Sequence, residues 1–257
     1  MNHAHTIAFG IAGGIVAAGW LADAVQAQSD AAAVGPTPER LFNATIRERP
    51  DEDLIAQGRL VAAGGSGAGG AAMACFTCHG ADGAGDPAGA VPRLSGLPAW
   101  YMYKQLNDYA DGSRDSASMT GIARQLSDTE REAVSAYYAM LDSPHPRMPP
   151  AGNLRMLQWG QQIAAVGATD RAVPACLSCH GPDGAGLPPS VPYLAGQHAE
   201  YIALQLRLFR NGERHNDAMQ VMSAIAKKLS DEDIDAIAAY YSRARPVDAA
   251  PRADAGQ

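Results

Sequence analysis

The chain has 257 residues, which is enough for two domains of about 100 to 150 residues each. Hydrophobic residues make up 47% of the sequence and charged residues 18%, as is usual for a globular protein. The formal net charge of −7 argues against a nucleic-acid partner, because phosphate binding needs a basic surface.

The N-terminal residues 1–27 are predicted to be an export signal. A mostly apolar run without charged side chains covers residues 7–22, and Val25-Gln26-Ala27 offers small residues at the positions that a signal peptidase reads. A retained membrane anchor is the alternative. Either form places the rest of the chain outside the cytoplasm, so we expect a periplasmic protein, which the anchor would hold at the membrane.

Breaks in the sequence divide the remaining chain into two blocks. Residues 28–50 are predicted to be a linker with an extra N-terminal segment, residues 144–152 a proline-rich linker, and residues 246–257 a disordered tail. The two blocks between these breaks, residues 51–143 and 153–245, are each large enough to be a small domain.

The two blocks repeat each other at an interval of about 100 residues, which indicates a duplicated domain. A Cys-x-x-Cys-His-Gly motif begins at Cys75 and again at Cys176, and Asp-Gly-Ala-Gly follows each copy. Further positions recur in the same order: Pro92, Leu94, Gly96, Tyr101, Gln105, Leu106 and Gly112 match Pro192, Leu194, Gly196, Tyr201, Gln205, Leu206 and Gly212.

Each block is predicted to be all-α. A helix with a capping box is expected after Ser127 and after Ser230, before apolar residues at helical spacing. The opening helix of each block contains a glycine, Gly58 or Gly160. Glycine destabilises a helix interior, so its presence there suggests that another helix crosses closely at this point. Shorter helices are predicted over residues 99–109 and 199–209.

The two Cys-x-x-Cys-His motifs predict two covalently attached haem c groups. Two residues between the thiols place both on one helical turn, where they can form thioethers with the haem vinyl groups. The next residue, a histidine, then lies under the iron. The predicted attachment and ligand residues are Cys75, Cys78 and His79 in the first block and Cys176, Cys179 and His180 in the second.

Other uses of paired cysteines agree less well with this pattern. A structural zinc site usually places its cysteine pairs about 15 to 20 residues apart. A thioredoxin-like redox pair occurs in a βαβ context, which is not visible here. A structural disulfide would not require a histidine after both pairs.

The sixth ligand of each iron decides between electron transfer and catalysis, because a His/Met pair closes the iron to substrates and raises its reduction potential. In the first block the predicted ligand is Met119, which lies eight residues before Ser127 in a loop between predicted helices. In the second block, counting back from Ser230 gives Met222, whereas counting forward from Gly212 gives Met219. We prefer Met222, because Met-x-x-Ile-Ala precedes Leu-Ser-Asp in both blocks.

Over residues 51–244 the sequence resembles the dihaem cytochrome c4 family. The resemblance rests on the two Cys-x-x-Cys-His-Gly motifs, on Pro-x-Leu-x-Gly before Tyr-x-x-x-Gln-Leu, and on Met-x-x-Ile-Ala before Leu-Ser-Asp in each half. It implies two tandem class I cytochrome c domains related by a pseudo-twofold axis, with low-spin His/Met haems. It also implies electron transfer from a quinol-oxidising cytochrome bc complex to a terminal oxidase.

Two alternative functions stay open. The extra segment at residues 36–50 leaves room for a dihaem electron-transfer subunit of a membrane-bound dehydrogenase or oxidase complex. A dihaem enzyme, such as a peroxidase or thiosulfate dehydrogenase, would need an iron with an open or exchangeable position. Because both blocks offer a methionine ligand, we expect an electron carrier rather than an enzyme.

Charge is distributed unequally between the blocks. Residues 51–143 contain 12 acidic and 6 basic residues, whereas residues 144–245 contain 9 acidic and 10 basic residues. Negative surroundings favour the ferric state, because reduction removes a positive charge. The first haem is therefore predicted to have the lower reduction potential.

Overall fold

The computed structural model describes residues 51–65, 74–141, 152–182, 184, 186–187 and 191–245. The described residues form helices and isolated β-bridges, without β-strands, so the predicted all-α class is confirmed. No helix among them is long and apolar enough to span a bilayer. The following predicted features lie outside the described residues: the export signal (1–27), the segment 28–50, the linker 144–152 apart from its last residue, and the tail 246–257.

The two repeats contain the same succession of helices. In the first domain these are α1 (Glu52–Ala62), α2 (Phe76–His79), α3 (Ala99–Asp111), α4 (Met119–Gln125) and α5 (Asp128–Met140). Their counterparts in the second domain are α6 (Leu154–Val166), α7 (Leu177–His180), α8 (Ala199–Asn211), α9 (Val221–Ala226) and α10 (Asp231–Arg243). The second domain also has 3-10 turns at Thr169–Arg171 and Ala218–Gln220.

Both predicted capping boxes are confirmed. The Ser127 hydroxyl accepts a hydrogen bond from the Glu130 backbone N–H, and the Glu130 carboxylate accepts from the Ser127 N–H at 2.8 Å. Ser230 and Asp233 form the same pair of bonds at the start of α10. Each cap satisfies backbone donors that would otherwise lack a partner and contributes about 1 kcal/mol to helix stability.

The predicted close helix crossings are also confirmed. In the first domain α1 packs against α5, and a Cβ atom on Gly58 would lie 2.0 Å from the carbonyl oxygen of Ala133. In the second domain a Cβ atom on Gly160 would lie 2.0 Å from the carbonyl oxygen of Ala236. Only glycine permits this approach, which joins the first helix of each domain to its last.

Each domain has its own apolar core. In the first domain it includes Val61, Leu97, Met102, Val134 and Tyr138, and Cys75 packs at its edge. In the second domain it includes Ile163, Ile202, Leu206, Ile234 and Tyr241, and Cys176 packs at its edge. The first cysteine of each motif is therefore held against the core.

The three additional residues of the second domain form the turn Ala218–Gln220. Arg114 and Arg214 pair in an antiparallel β-bridge, so the interval of 100 residues is kept up to that point. In the turn, Met219 and Gln220 have φ values of 56° and 55°, a left-handed conformation that is unusual for residues other than glycine. The turn lengthens the connection between α8 and α9, while the order of the helices stays the same in both repeats.

Candidate haem sites

The two attachment motifs form matching one-turn helices. In α2 the N–H of His79 donates to the carbonyl of Cys75 at 2.9 Å, and Gly80 ends the turn with a φ of 77°. This turn brings Cys75, Cys78 and His79 together, and α7 does the same for Cys176, Cys179 and His180. None of the four cysteines forms a disulfide. The thiols are therefore free to form thioether bonds.

Each motif histidine is oriented by a prolyl carbonyl. The Nδ1 atom of His79 lies 2.9 Å from the oxygen of Pro92, and the Nδ1 atom of His180 lies 2.9 Å from the oxygen of Pro192. A carbonyl can only accept, so Nδ1 carries the proton in both rings. In a neutral ring this leaves the Nε2 lone pair available for a metal.

Burial keeps both rings neutral. Removal from water lowers the pKa of His79 and of His180 below the usual value, and the hydrogen bond to the prolyl carbonyl offsets this only in part. Both side chains are buried. Burial likewise raises the pKa of Cys75, and it raises the pKa of Cys176 to about 11. Each site therefore presents uncharged nitrogen and sulfur atoms.

A largely apolar cavity of about 1050 Å³ runs through both domains, and both motifs lie in its wall. Its lining includes the apolar side chains Leu94, Leu106, Ile122, Leu194 and Ile225. A cavity of this size and character suits large, flat, apolar groups held by a few polar atoms.

Two buried tyrosines mark the same place in each site. Among the described residues, the hydroxyls of Tyr138 and Tyr241 have no oxygen or nitrogen partner, and each lies beside a motif thiol. Burial raises the pKa of each hydroxyl, and the neighbouring thiol of Cys75 or Cys176 raises it further. Each hydroxyl therefore lies beside the first thiol of its motif, at the same place in both sites. Paired thiols, a histidine with a free Nε2 and a large apolar cavity are what haem c requires, so the residues present fit two haem c groups.

The three candidate methionines differ in exposure. Met119 begins α4, is half-buried and lines the cavity. Met222 lies in α9, is half-buried and packs against the core of the second domain. Met219 lies in the 3-10 turn and is 93% exposed. All three line the cavity, and Met222 resembles Met119 in being half-buried and in lying on the repeated short helix.

The two domains meet at a buried network centred on two arginines. Arg114 donates to Gln105 at 2.6 Å, to Gln205 at 2.7 Å and to the Tyr201 hydroxyl at 3.0 Å. Arg214 makes the corresponding bonds to Gln205 at 2.7 Å, to Gln105 at 3.1 Å and to the hydroxyl of Tyr101. The guanidinium groups also lie over rings of their own domains, 4.6 Å from the centre of Tyr109 and 4.4 Å from that of Phe209.

One part of this interface does not obey the twofold relationship. Lys104 forms an ion pair with Asp108 and donates to the backbone oxygen of Asn216 at 3.0 Å. The Asn216 side chain in turn donates to Asp108 and to Gln105. At the positions of Lys104 and Asp108 the second domain has Leu204 and Leu208, so the contact cannot be repeated in the other direction.

The sequence alone indicates the motif residues but not the interface. In the sequence Gln105 and Gln205 stand out only as repeated positions. The matching recurrence of Arg114 and Arg214 after an interval of 100 residues was the signal that could have drawn attention to this network.

Two Cys-x-x-Cys-His helices, two oriented and buried histidines and a shared apolar cavity define a dihaem c-type cytochrome. The cytochrome c family model matches residues 66–141 and 160–243. Among curated proteins, cytochrome c4 of Pseudomonas aeruginosa is 40% identical over 182 residues, which are 70% of this chain and 88% of that protein. This chain belongs to the cytochrome c4 family, and it carries two covalently bound haem c groups attached through Cys75, Cys78, Cys176 and Cys179.

A second kind of relative is equally similar. The thiosulfate dehydrogenase electron acceptor of Stutzerimonas stutzeri (strain A1501) is 43% identical over 177 residues, which are 68% of this chain and 81% of that protein. The protein is therefore a dihaem electron carrier of the cytochrome c4 type, and its relatives include a protein named as an electron acceptor of thiosulfate dehydrogenase.

Solved structures support both likenesses. Reduced cytochrome c4 from Pseudomonas stutzeri superposes with a TM-score of 0.61 at 34% identity, covering 70% of this chain and all of that one. The thiosulfate dehydrogenase TsdBA of Marichromatium purpuratum gives a TM-score of 0.67 at 35% identity over 76% of this chain. The matched region is 41% of the length of the TsdBA chain.

Proposed function

We propose that the protein is a periplasmic electron carrier that accepts single electrons from a thiosulfate-oxidising dehydrogenase and delivers them to a terminal oxidase. The observation that carries the choice of donor is the 43% identity to an electron acceptor named for thiosulfate dehydrogenase. The apolar run at residues 7–22, followed by small residues, supports export to the periplasm.

A second candidate donor is the quinol-oxidising cytochrome bc complex, as the sequence resemblance implied. The 40% identity to a cytochrome c4 favours this candidate. In both cases the protein passes electrons between larger redox complexes. Alternatively, the protein is a dihaem subunit that stays bound to a membrane dehydrogenase or oxidase while it transfers electrons.

We further propose that His79 with Met119, and His180 with Met222, are the axial ligands of the two irons. The prolyl hydrogen bonds hold each imidazole with Nδ1 protonated, and the half-buried positions of Met119 and Met222 at the cavity supply a thioether on α4 and on α9. The exposure of Met219 argues against its use as a ligand.

The proposed ligand set is suited to electron transfer. When bound, each haem supplies an iron that holds one electron by changing between the ferric and ferrous states. The cavity walls are mostly apolar, and ligation of each iron by both a histidine and a methionine would leave no open position for a substrate. This arrangement supports a carrier and opposes the peroxidase or thiosulfate dehydrogenase alternative.

Reduction kinetics test the choice of donor. The oxidised holoprotein is mixed with a purified thiosulfate dehydrogenase and thiosulfate, or with a cytochrome bc complex and quinol, and haem reduction is followed by absorbance. We expect rapid reduction by the first pair. Reduction by the bc complex alone would support the second candidate, and reduction by neither pair would refute both.

Thiosulfate without any dehydrogenase is the control. We expect no reduction in this mixture, because the protein itself is proposed to have no substrate position. Rapid reduction there would identify an enzyme instead of a carrier.

A further inference from the structure

The second domain contacts the peptide group that orients the motif histidine of the first domain. The Pro92 carbonyl accepts the hydrogen bond from Nδ1 of His79, and the N–H of the same peptide unit belongs to Arg93. This N–H donates to Oε1 of Gln197 at 2.9 Å. Three groups are thus joined in series: the amide of Gln197, the Pro92–Arg93 peptide and the imidazole of His79.

The Gln197 side chain is fixed in this orientation. Its Nε2 donates to the carbonyl of Arg93 at 2.9 Å, so its amide group pairs with both polar atoms of one backbone residue. Its Oε1 also accepts the N–H of His198 at 3.0 Å. The side chain is 5% exposed, and water therefore does not compete for these bonds.

The residue at the matching position of the first domain cannot make this contact. The position of Gln197 is occupied in the first domain by Leu97, whose side chain can neither donate nor accept a hydrogen bond. The His180–Pro192 bond has the same 2.9 Å length as its counterpart, so the two sites match up to the prolyl carbonyl. They differ at the next step, because the second domain presents the Gln197 amide to the Pro92–Arg93 peptide, whereas the matching residue of the first domain is Leu97.

We propose that Gln197 is a positioning residue that lowers the reduction potential of the first haem through the Pro92–Arg93 peptide. Hydrogen bonds in a chain polarise one another, so a peptide whose N–H donates has a carbonyl that accepts more strongly. Stronger acceptance from Nδ1 increases the basicity of the imidazole as a ligand. A more basic ligand stabilises the ferric state.

This inference rests on the proposed coordination of the first iron by His79, and the Gln197→Met variant of the holoprotein tests it. Methionine has about the length of glutamine, but its thioether is only a weak acceptor for the Arg93 N–H. We expect the potential of the first haem to rise and that of the second to stay constant. The equilibrium between the haems should shift about threefold, or about 30 mV, since tenfold corresponds to about 59 mV for one electron. A titration beside Met119→His assigns the two waves.

A second readout follows the hydrogen bond itself. In the diamagnetic ferrous protein, the Nδ1 proton resonance of His79 should move upfield in Gln197→Met, because the hydrogen bond weakens, while that of His180 stays in place. Gln197→Glu keeps an acceptor for the Arg93 N–H and should restore the wild-type position. Tyr201→Phe removes a different hydrogen bond across the interface, the one from Arg114, and should not move the His79 resonance.

The outcomes separate the inference from the proposed coordination. An unchanged first-haem potential and an unchanged His79 resonance in Gln197→Met, with an intact low-spin spectrum, would overturn the role of Gln197 alone. An equal displacement of the His79 resonance in Tyr201→Phe would overturn it as well, because any loosening of the interface would then suffice. A wild-type His79 ring without the spectral shifts of an iron ligand would refute the coordination, and the inference with it.

Discussion

Arg114 and Arg214 donate hydrogen bonds to the same two acceptors, the side-chain oxygens of Gln105 and Gln205. Both guanidinium groups are buried, and neither forms an ion pair with a carboxylate of the described residues. Buried charges are expensive unless they are fully hydrogen-bonded. The two glutamines are therefore essential to the interface between the domains.

Gln105→Leu should destabilise the protein substantially. It removes an acceptor shared by two buried cations, and hydrogen bonds to charged groups contribute about 1.5 to 3 kcal/mol each. We expect the free energy of unfolding to fall by about 3 kcal/mol in chemical denaturation. Gln125→Leu, on the exposed face of α4, is the control and should change it by less than about 0.5 kcal/mol. Equal effects of the two variants would contradict the importance of the shared acceptor.

Gly58→Ala should destabilise the first domain because the new methyl group would overlap the backbone of α5 at Ala133. We expect a loss of about 3 kcal/mol or more, since backbone cannot move aside as a side chain can. Gly121→Ala, also within a helix, meets no atom within 4 Å and should be neutral or stabilising by up to about 1 kcal/mol. Thermal denaturation of the two variants measures the contrast, and a stable Gly58→Ala variant would show that the helices can separate.

Met222→Ala should remove about half of the weak absorption band that methionine-to-iron coordination produces in the ferric protein, because one of the two proposed methionine ligands is lost. Met219→Ala should leave the band intact, since this side chain is 93% exposed. Absorbance at the red edge of the visible spectrum provides the measurement. Loss of the band in Met219→Ala instead would reverse the assignment.

Acid should weaken the second domain through Asp233. Burial alone would raise the pKa of this carboxyl, but hydrogen bonds from Arg171, Ser230 and Trp159 outweigh it and lower the pKa to about 2. Because the folded pKa lies below the unfolded value of about 3.9, this stabilisation is complete above about pH 5 and is lost as the pH falls towards 2. The Asp233→Asn variant should be less stable than the wild-type protein at neutral pH. It should also lose less stability than the wild-type protein as the pH is lowered towards 2.

Exposed Asp235 provides the control for this experiment. Its carboxylate pairs with Arg207 at the surface, where ion pairs contribute little. Asp235→Asn should therefore keep the acid sensitivity of the wild-type protein. The pH dependence of the denaturation midpoint distinguishes the two variants, and identical profiles would rule out Asp233 as the source.

The unequal charge of the two blocks predicts that the first haem has the lower potential and that the gap narrows as salt is added. Exposed charges are screened at ionic strengths near 0.15 M, with a Debye length of about 8 Å. The contribution of Gln197 is buried and should persist at high salt. Redox titrations at low and high ionic strength separate the two effects, and a higher potential at the first haem would refute the predicted order.

The sequence was sufficient to predict what recurs within one domain. The attachment motifs, the capping boxes at Ser127 and Ser230 and the close crossings at Gly58 and Gly160 all depend on residues near in sequence or matched between repeats. Contacts that differ between the repeats were not predictable. The residue that corresponds to Gln197 in the first repeat is a leucine, so a comparison of the repeats does not indicate the bond between Gln197 and Arg93. Gln197 and Arg93 meet only because the two domains pack against each other.

The contact between Lys104, Asp108 and Asn216 also limits how the chain can be divided. Lys104 and Asp108 belong to the first domain and Asn216 to the second, so two copies of the first domain cannot rebuild the contact, and two copies of the second cannot either. If the chain were cut at the linker, each half would therefore bind the other half in preference to a second copy of itself. The two repeats thus behave as unlike subunits that happen to share one chain.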